Sequence, residues 1–123
     1  MSTQTVTARA ALFNLGWIAL LTLSGLATLN HIILIFVMPD ESTLFLGWAA
    51  YNLYATVVLG IPFRRGEPWA WFVTWTLVLG FALPILFFAD AFAVWYLAAA
   101  GVMTVSLLLT RSVFFSAGAR TDR

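Results

Sequence analysis

The chain has 123 residues, 63% of them hydrophobic and 9% charged, with a mean hydropathy of +0.98, more apolar than a soluble domain of this size can bury. Net charge is +1 and all six basic residues are arginine, so no basic surface is large enough to follow a nucleic-acid backbone. The lack of cysteine excludes disulfides, thiolate metal sites and cysteine nucleophiles.

Residues Met1 to Arg9 form a polar tail, expected to be cytoplasmic, and an uncharged apolar run follows over 12–38. It is too long for the apolar core of a signal peptide and lacks a small-x-small cleavage site, which predicts a retained first helix. At about 1.5 Å per residue it exceeds a hydrocarbon core of roughly 30 Å, so it should tilt or project. Pro39, Asp40 and Glu41 break it, and Ser42 or Thr43 is placed to cap a second helix over 44–61 that stops at Pro62. After the polar turn 63–67, Pro68 suits the first turn of a third helix over 69–88, which Pro84 should kink. Asp90 is placed to cap a fourth helix over 91–110, and 112–123 read as a second cytoplasmic tail. The expected fold is all-α: a single integral membrane domain over 1–123, built as a four-helix bundle.

The arginines fix the orientation. Arg9, Arg64, Arg65, Arg111, Arg120 and Arg123 all fall on one side of a four-span layout, and the opposite loops hold only acidic charge. Because short basic loops stay in the cytoplasm, both termini are expected inside and the protein in the inner (plasma) membrane. A three- or five-helix layout would divide the arginines between the two faces. Most tryptophans fall towards span ends, where such rings favour the headgroup zone. Phe45, Trp48 and Arg64 recur as Phe92, Trp95 and Arg111 at one offset, readable either as an internal repeat or as belt and anchor residues.

Few side chains could carry chemistry. His31, the single histidine, follows Asn30 in helix one; Tyr51 and Asn52 lie near the middle of helix two, and Tyr96 near the start of helix four. Turned inward, these five would make a polar pocket in the outer half of the bundle. Polar groups in lipid are costly unless paired, so they serve either as interhelical hydrogen-bonding glue or as a ligand or proton site. One imidazole cannot provide two axial haem ligands, and no His, Cys and carboxylate cluster has metal-binding spacing, so no metal or cofactor is assigned. Arg64, Arg65, Glu67 and Trp69 form a compact corner, either a plain inside anchor or a contact for a lipid headgroup or partner protein. Small residues Ser24 and Thr28, and Thr76 and Gly80, permit close helix approach. No nucleophile with its base and no glycine-rich phosphate loop is present.

The stretch Tyr51-Asn52-Leu53, then Pro62-Phe63-Arg64-Arg65-Gly66-Glu67-Pro68-Trp69-Ala70-Trp71 and Trp75, resembles the middle of small four-helix bacterial membrane proteins of the DoxX-like group. The resemblance implies the same architecture and, since some members are associated with quinol oxidation or thiol-oxidant responses, a quinol-type redox role; no catalytic motif transfers to a residue here. The residues themselves favour a non-enzymatic accessory or structural subunit that packs against itself or a larger membrane complex in the lipid bilayer. The alternative is binding or transport of a small lipophilic molecule, a quinone or lipid, at the outer pocket.

Overall fold

A computed structural model describes residues 3–87 and 91–115, and the side chains of 4–87 and 92–115. These residues form four α-helices: α1 (Thr3–Val37), α2 (Ser42–Val58), α3 (Pro68–Ala82) and α4 (Ala91–Phe115). Together with their short flanking turns, the four helical segments are each long and apolar enough to cross a membrane. Only 28–33% of the most apolar window of each lies inside the bundle. The rest of those windows faces outward, as expected where hydrocarbon is the surrounding solvent and the backbone must satisfy itself within each helix. Helix α1 packs on α2 and α4, and α3 packs chiefly on α4.

The buried faces follow helical spacing. On α3, Ala70, Trp71, Thr74, Leu77, Val78 and Phe81 form one stripe, and on α2 the stripe is Ala49, Asn52, Ala55 and Val58, as the i, i+3, i+4 rule requires. Leu20, Leu59, Leu77, Met103 and Leu107 are fully buried at the centre. At the end carrying Arg64, aromatic rings fill the interior. Phe63 stands edge-on to Phe114 at 4.8 Å and lies against Phe13 at 6.2 Å, an arrangement that the ring quadrupoles favour.

Helix boundaries depart from the sequence expectation in physically instructive ways. Helix α1 starts at Thr3, not near residue 12, because no Gly or Pro interrupts 3–11 and extending a formed helix adds a hydrogen bond per residue without new nucleation. Its 35 residues span about 52 Å, well beyond a bilayer core of roughly 30 Å. Neither Ser42 nor Thr43 caps α2: Glu41 holds the cap position, no side-chain cap bond forms, and Ser42 is already helical. The 3-10 turn Pro39–Glu41 runs directly into α2, and the Ser42 N–H is satisfied by the Pro39 carbonyl.

Pro62 does not end α2 sharply. The chain widens into a π-helical turn, Leu59–Phe63, which absorbs a residue that has no N–H to donate. The expected disturbance at Pro84 is a tightening: α3 gives way at Leu83 to a 3-10 turn, Leu83–Leu86. Helix α4 continues past residue 110 to Phe115, so Arg111 is helical. The expected Asp90 cap, the end of helix three at Phe88, and residues 116–123 lie outside the described residues.

Helices α1 and α4 come close together at Gly16. A Cβ at Gly16 would sit 2.6 Å from the Ser106 carbonyl oxygen and 3.0 Å from Thr110 Cγ2, whereas one at Gly25 would meet nothing within 4 Å. Gly16→Ala should therefore lower the stability of the detergent-solubilised protein by about 1–3 kcal/mol, the usual cost of forcing atoms into a packed contact. Gly25→Ala should be neutral or slightly stabilising. Thermal or denaturant unfolding of the two variants side by side checks the contrast.

Candidate functional site

Ser24, Thr28 and His31 share one face of α1 and are all buried. The Ser24 hydroxyl lies 3.1 Å from the Asn52 carbonyl and 2.8 Å from the Thr56 hydroxyl of α2. Thr56 in turn donates to the same Asn52 carbonyl at 2.8 Å. This knot sets the register of α1 on α2 and brings His31, two turns further along α1, level with Asn52.

Three polar side chains then meet in an unbroken chain. Asn52, 1% exposed, donates through Nδ2 to the Trp48 carbonyl at 2.9 Å, and the same nitrogen lies 3.2 Å from His31 Nδ1. The other ring nitrogen, Nε2, lies 3.1 Å from the Tyr96 hydroxyl of α4. Asn30 stands near that hydroxyl and shares the cavity wall with it. The imidazole is held between aromatic neighbours, with Phe45 and Trp48 near parallel to it, each at 6.2 Å. Asn52 Oδ1 is buried and finds no partner among the described residues, a cost of about 1–3 kcal/mol for such a group.

Beside this chain lies a cavity of about 410 Å³, within the roughly 300–1,000 Å³ typical of small-molecule sites. Asn30, His31, Asn52 and Tyr96 line its polar wall, and Leu34, Phe45, Trp48, Phe81 and Phe92 are among its apolar lining. It occupies the end of the bundle opposite Arg64 and Arg65, under the turn that carries Glu41, itself an exposed lining residue. Four of the five expected pocket residues are thus brought together.

Tyr51 is the exception. It turns towards α3, where its hydroxyl donates to Thr76 Oγ1 at 3.0 Å, and its ring packs against Gly80 and edge-on to Trp48. Tyr51, one residue before Asn52 on α2, points about 100° away from it, and that turn carries its side chain to α3. The apolar lining was not expected as such from sequence: Phe45, Trp48 and Phe92 were read there only as repeat or belt positions, and Gly80 and Pro84 as packing and kink positions. Phe45 and Trp48 at i, i+3 with Asn52 one turn on was the available signal, masked by the ordinary use of aromatics at span ends.

The arginine corner is assembled too, but three of its four members have partners within the chain. The Arg64 guanidinium lies over the Trp17 ring, 4.8 Å from its centroid, and Glu67 accepts the Trp69 indole N–H at 2.6 Å. Trp17 also donates to the Leu59 carbonyl in the π turn at 2.8 Å, and Trp71 donates to the Leu107 carbonyl at 3.1 Å. Two tryptophans expected at the headgroup zone thus pin helices together. Nor do the two halves of the suspected repeat have equal surroundings, since Trp48 lines the cavity and Trp95 is 74% exposed.

Comparison of the chain with protein-family models, curated proteins and solved structures gave no match. Its function is therefore argued from this geometry.

Because Tyr51 lies off the cavity, Tyr51→Phe should cost roughly 0.6–2 kcal/mol of stability, the value of one interhelical hydrogen bond in a membrane protein, and leave the ring-nitrogen signals of His31 unchanged. Asn52→Leu should shift those signals. Unfolding measurements and nitrogen NMR of isotope-labelled histidine read the two effects separately.

Proposed function

We propose that this protein binds a small, uncharged amphipathic molecule in the outer half of the plasma membrane. Its polar head lies against the Asn52, His31 and Tyr96 chain, and its body against the surrounding aromatic wall. The observation that carries this reading is the cavity itself: about 410 Å³ of space beside a histidine that is only 4% exposed. Polar residues that served only as glue between helices would be expected to close on one another, because a void in a packed interior forfeits dispersion contacts. Among the described residues Glu41 is the one formally charged group on the wall, and it is exposed, which favours a neutral occupant in the depth of the cavity.

The outer placement rests on the arginine bias. Arg9, Arg64, Arg65 and Arg111 lie at the bundle end away from the cavity, and basic short loops favour the cytoplasm. The reading as an accessory subunit, in a homo-oligomer or a larger complex, rests on exposed apolar helix faces, which lipid covers equally well. A quinol-type redox role rests on the DoxX-like resemblance alone.

Ala93 lines the cavity and is 1% exposed, so Ala93→Phe should occupy the space a ligand needs. Native mass spectrometry after mild extraction is expected to show a retained small molecule on the wild type and at least a roughly tenfold lower bound fraction, about 1.4 kcal/mol, on the variant, with helicity unchanged. A wild type that carries nothing and also fails to take up added lipophiles would refute the binding reading. For the topology, the chain has no cysteine of its own, so single replacements are clean reporters. Asp40→Cys should react with an impermeant thiol reagent in intact cells, and Arg65→Cys only after the membrane is opened.

A further inference from the structure

The hydrogen bonds around His31 have a direction, and it begins at an atom that leaves no choice. The Trp48 carbonyl oxygen can only accept, so the Asn52 atom 2.9 Å from it is the amide nitrogen. That nitrogen carries only protons, so His31 Nδ1, 3.2 Å away, meets it with a lone pair. A neutral imidazole then has its proton on Nε2, from which it is given to the Tyr96 oxygen at 3.1 Å. Having accepted there, Tyr96 has its own phenolic proton left to donate onward.

Asn30, the neighbour of that hydroxyl, does not reverse the direction. If Tyr96 donates to the Asn30 carbonyl, the Asn30 amide N–H groups become the free end, and Asn30 lines the cavity as Tyr96 does. Either way the chain ends in a donor. The Ala27 carbonyl, one turn back on α1, also approaches the imidazole and would favour a proton on the nitrogen facing it. The Asn52 contact opposes this, because two N–H groups would then point at each other. Asn52 Oδ1, an acceptor with no partner among the described residues, is buried and does not present itself to an occupant of the cavity, whereas the donor end of the chain lies on the wall.

We infer that the cavity selects a neutral lipophile whose head group is a hydrogen-bond acceptor, a carbonyl oxygen of ketone, quinone or ester type, and that it discriminates against the matching hydrocarbon. This rests on the binding reading above, and adds to it the chemistry of the head group.

Benzophenone and diphenylmethane differ in that one carbonyl and make a direct probe pair in detergent-solubilised, full-length protein. Benzophenone should bind roughly three- to tenfold more tightly, the worth of one hydrogen bond of about 0.5–1.5 kcal/mol. Its carbonyl stretch should move to lower frequency on the protein. The shift should be lost in Tyr96→Phe, in Asn30→Ala or in both, while diphenylmethane binds those variants as it binds the wild type. Nitrogen NMR of the wild type should show His31 with Nδ1 bare and Nε2 protonated, a measurement that needs no variant to fold.

A proton on Nδ1, an unshifted carbonyl stretch, a shift that survives both substitutions, or equal affinity for the two probes would each overturn the acceptor assignment and leave the cavity intact as a binding site. If neither probe binds and Ala93→Phe changes nothing, the binding reading itself is lost and the inference goes with it.

Discussion

The Ser24 hydroxyl, set between the Asn52 carbonyl and the Thr56 hydroxyl, holds the register on which the rest of this bundle depends. In an apolar surrounding helices gain little by sliding apolar faces past one another, since lipid tails are as good a neighbour as leucine. Polar contacts between helices therefore decide which residue stands opposite which. A shift of one residue along α1 would rotate His31 by about 100°, away from Asn52 and Tyr96. On a different face of α1, Gly16 allows a close approach to α4, at Ser106 and Thr110.

The two ends of the bundle are built to opposite plans. At the arginine end, Phe13, Phe63 and Phe114 fill the interior, and the π turn forced by Pro62 lies where Trp17 donates to the Leu59 carbonyl. Arg64 rests on that same indole, so the charge closest to the bundle is held by an aromatic face. At the other end Pro84 interrupts α3, the backbone tightens into a 3-10 turn, and Pro84 itself joins Gly80 and Phe81 on the cavity wall. One proline is absorbed by packing, and the other borders open space.

The polar chain beside that space is economical in what it exposes. His31 and Asn52 are almost wholly buried, and only Tyr96, half-buried, and Asn30, exposed, carry the chain towards the outside. Low polarity strengthens each of these bonds and equally raises the cost of any group left unpaired. The unpartnered Asn52 Oδ1 is the visible sign of that tension. Asn52 gives its nitrogen to two acceptors at once, which orients the imidazole and leaves its own oxygen unmatched.

Much of this architecture was legible before any coordinates. Apolar runs of span length and the punctuation at Pro39, Pro62 and Pro68 specify four helices, because hydrocarbon admits only backbone that satisfies itself. The inventory of polar residues in those runs was short enough that Asn30, His31, Asn52 and Tyr96 stood out by chemistry alone. Tertiary structure decided the rest, since facing is a property of helix pairs. The chain is so apolar that almost any face of a helix could point at lipid, and periodicity therefore does not say which one turns inward. Only the packing of α1 on α2 and α4 separates Tyr51 from its neighbour Asn52. Only packing, too, gives Arg64 and Trp71 partners inside the molecule and leaves a hollow beside His31, because a void is the space between side chains contributed by four separate helices.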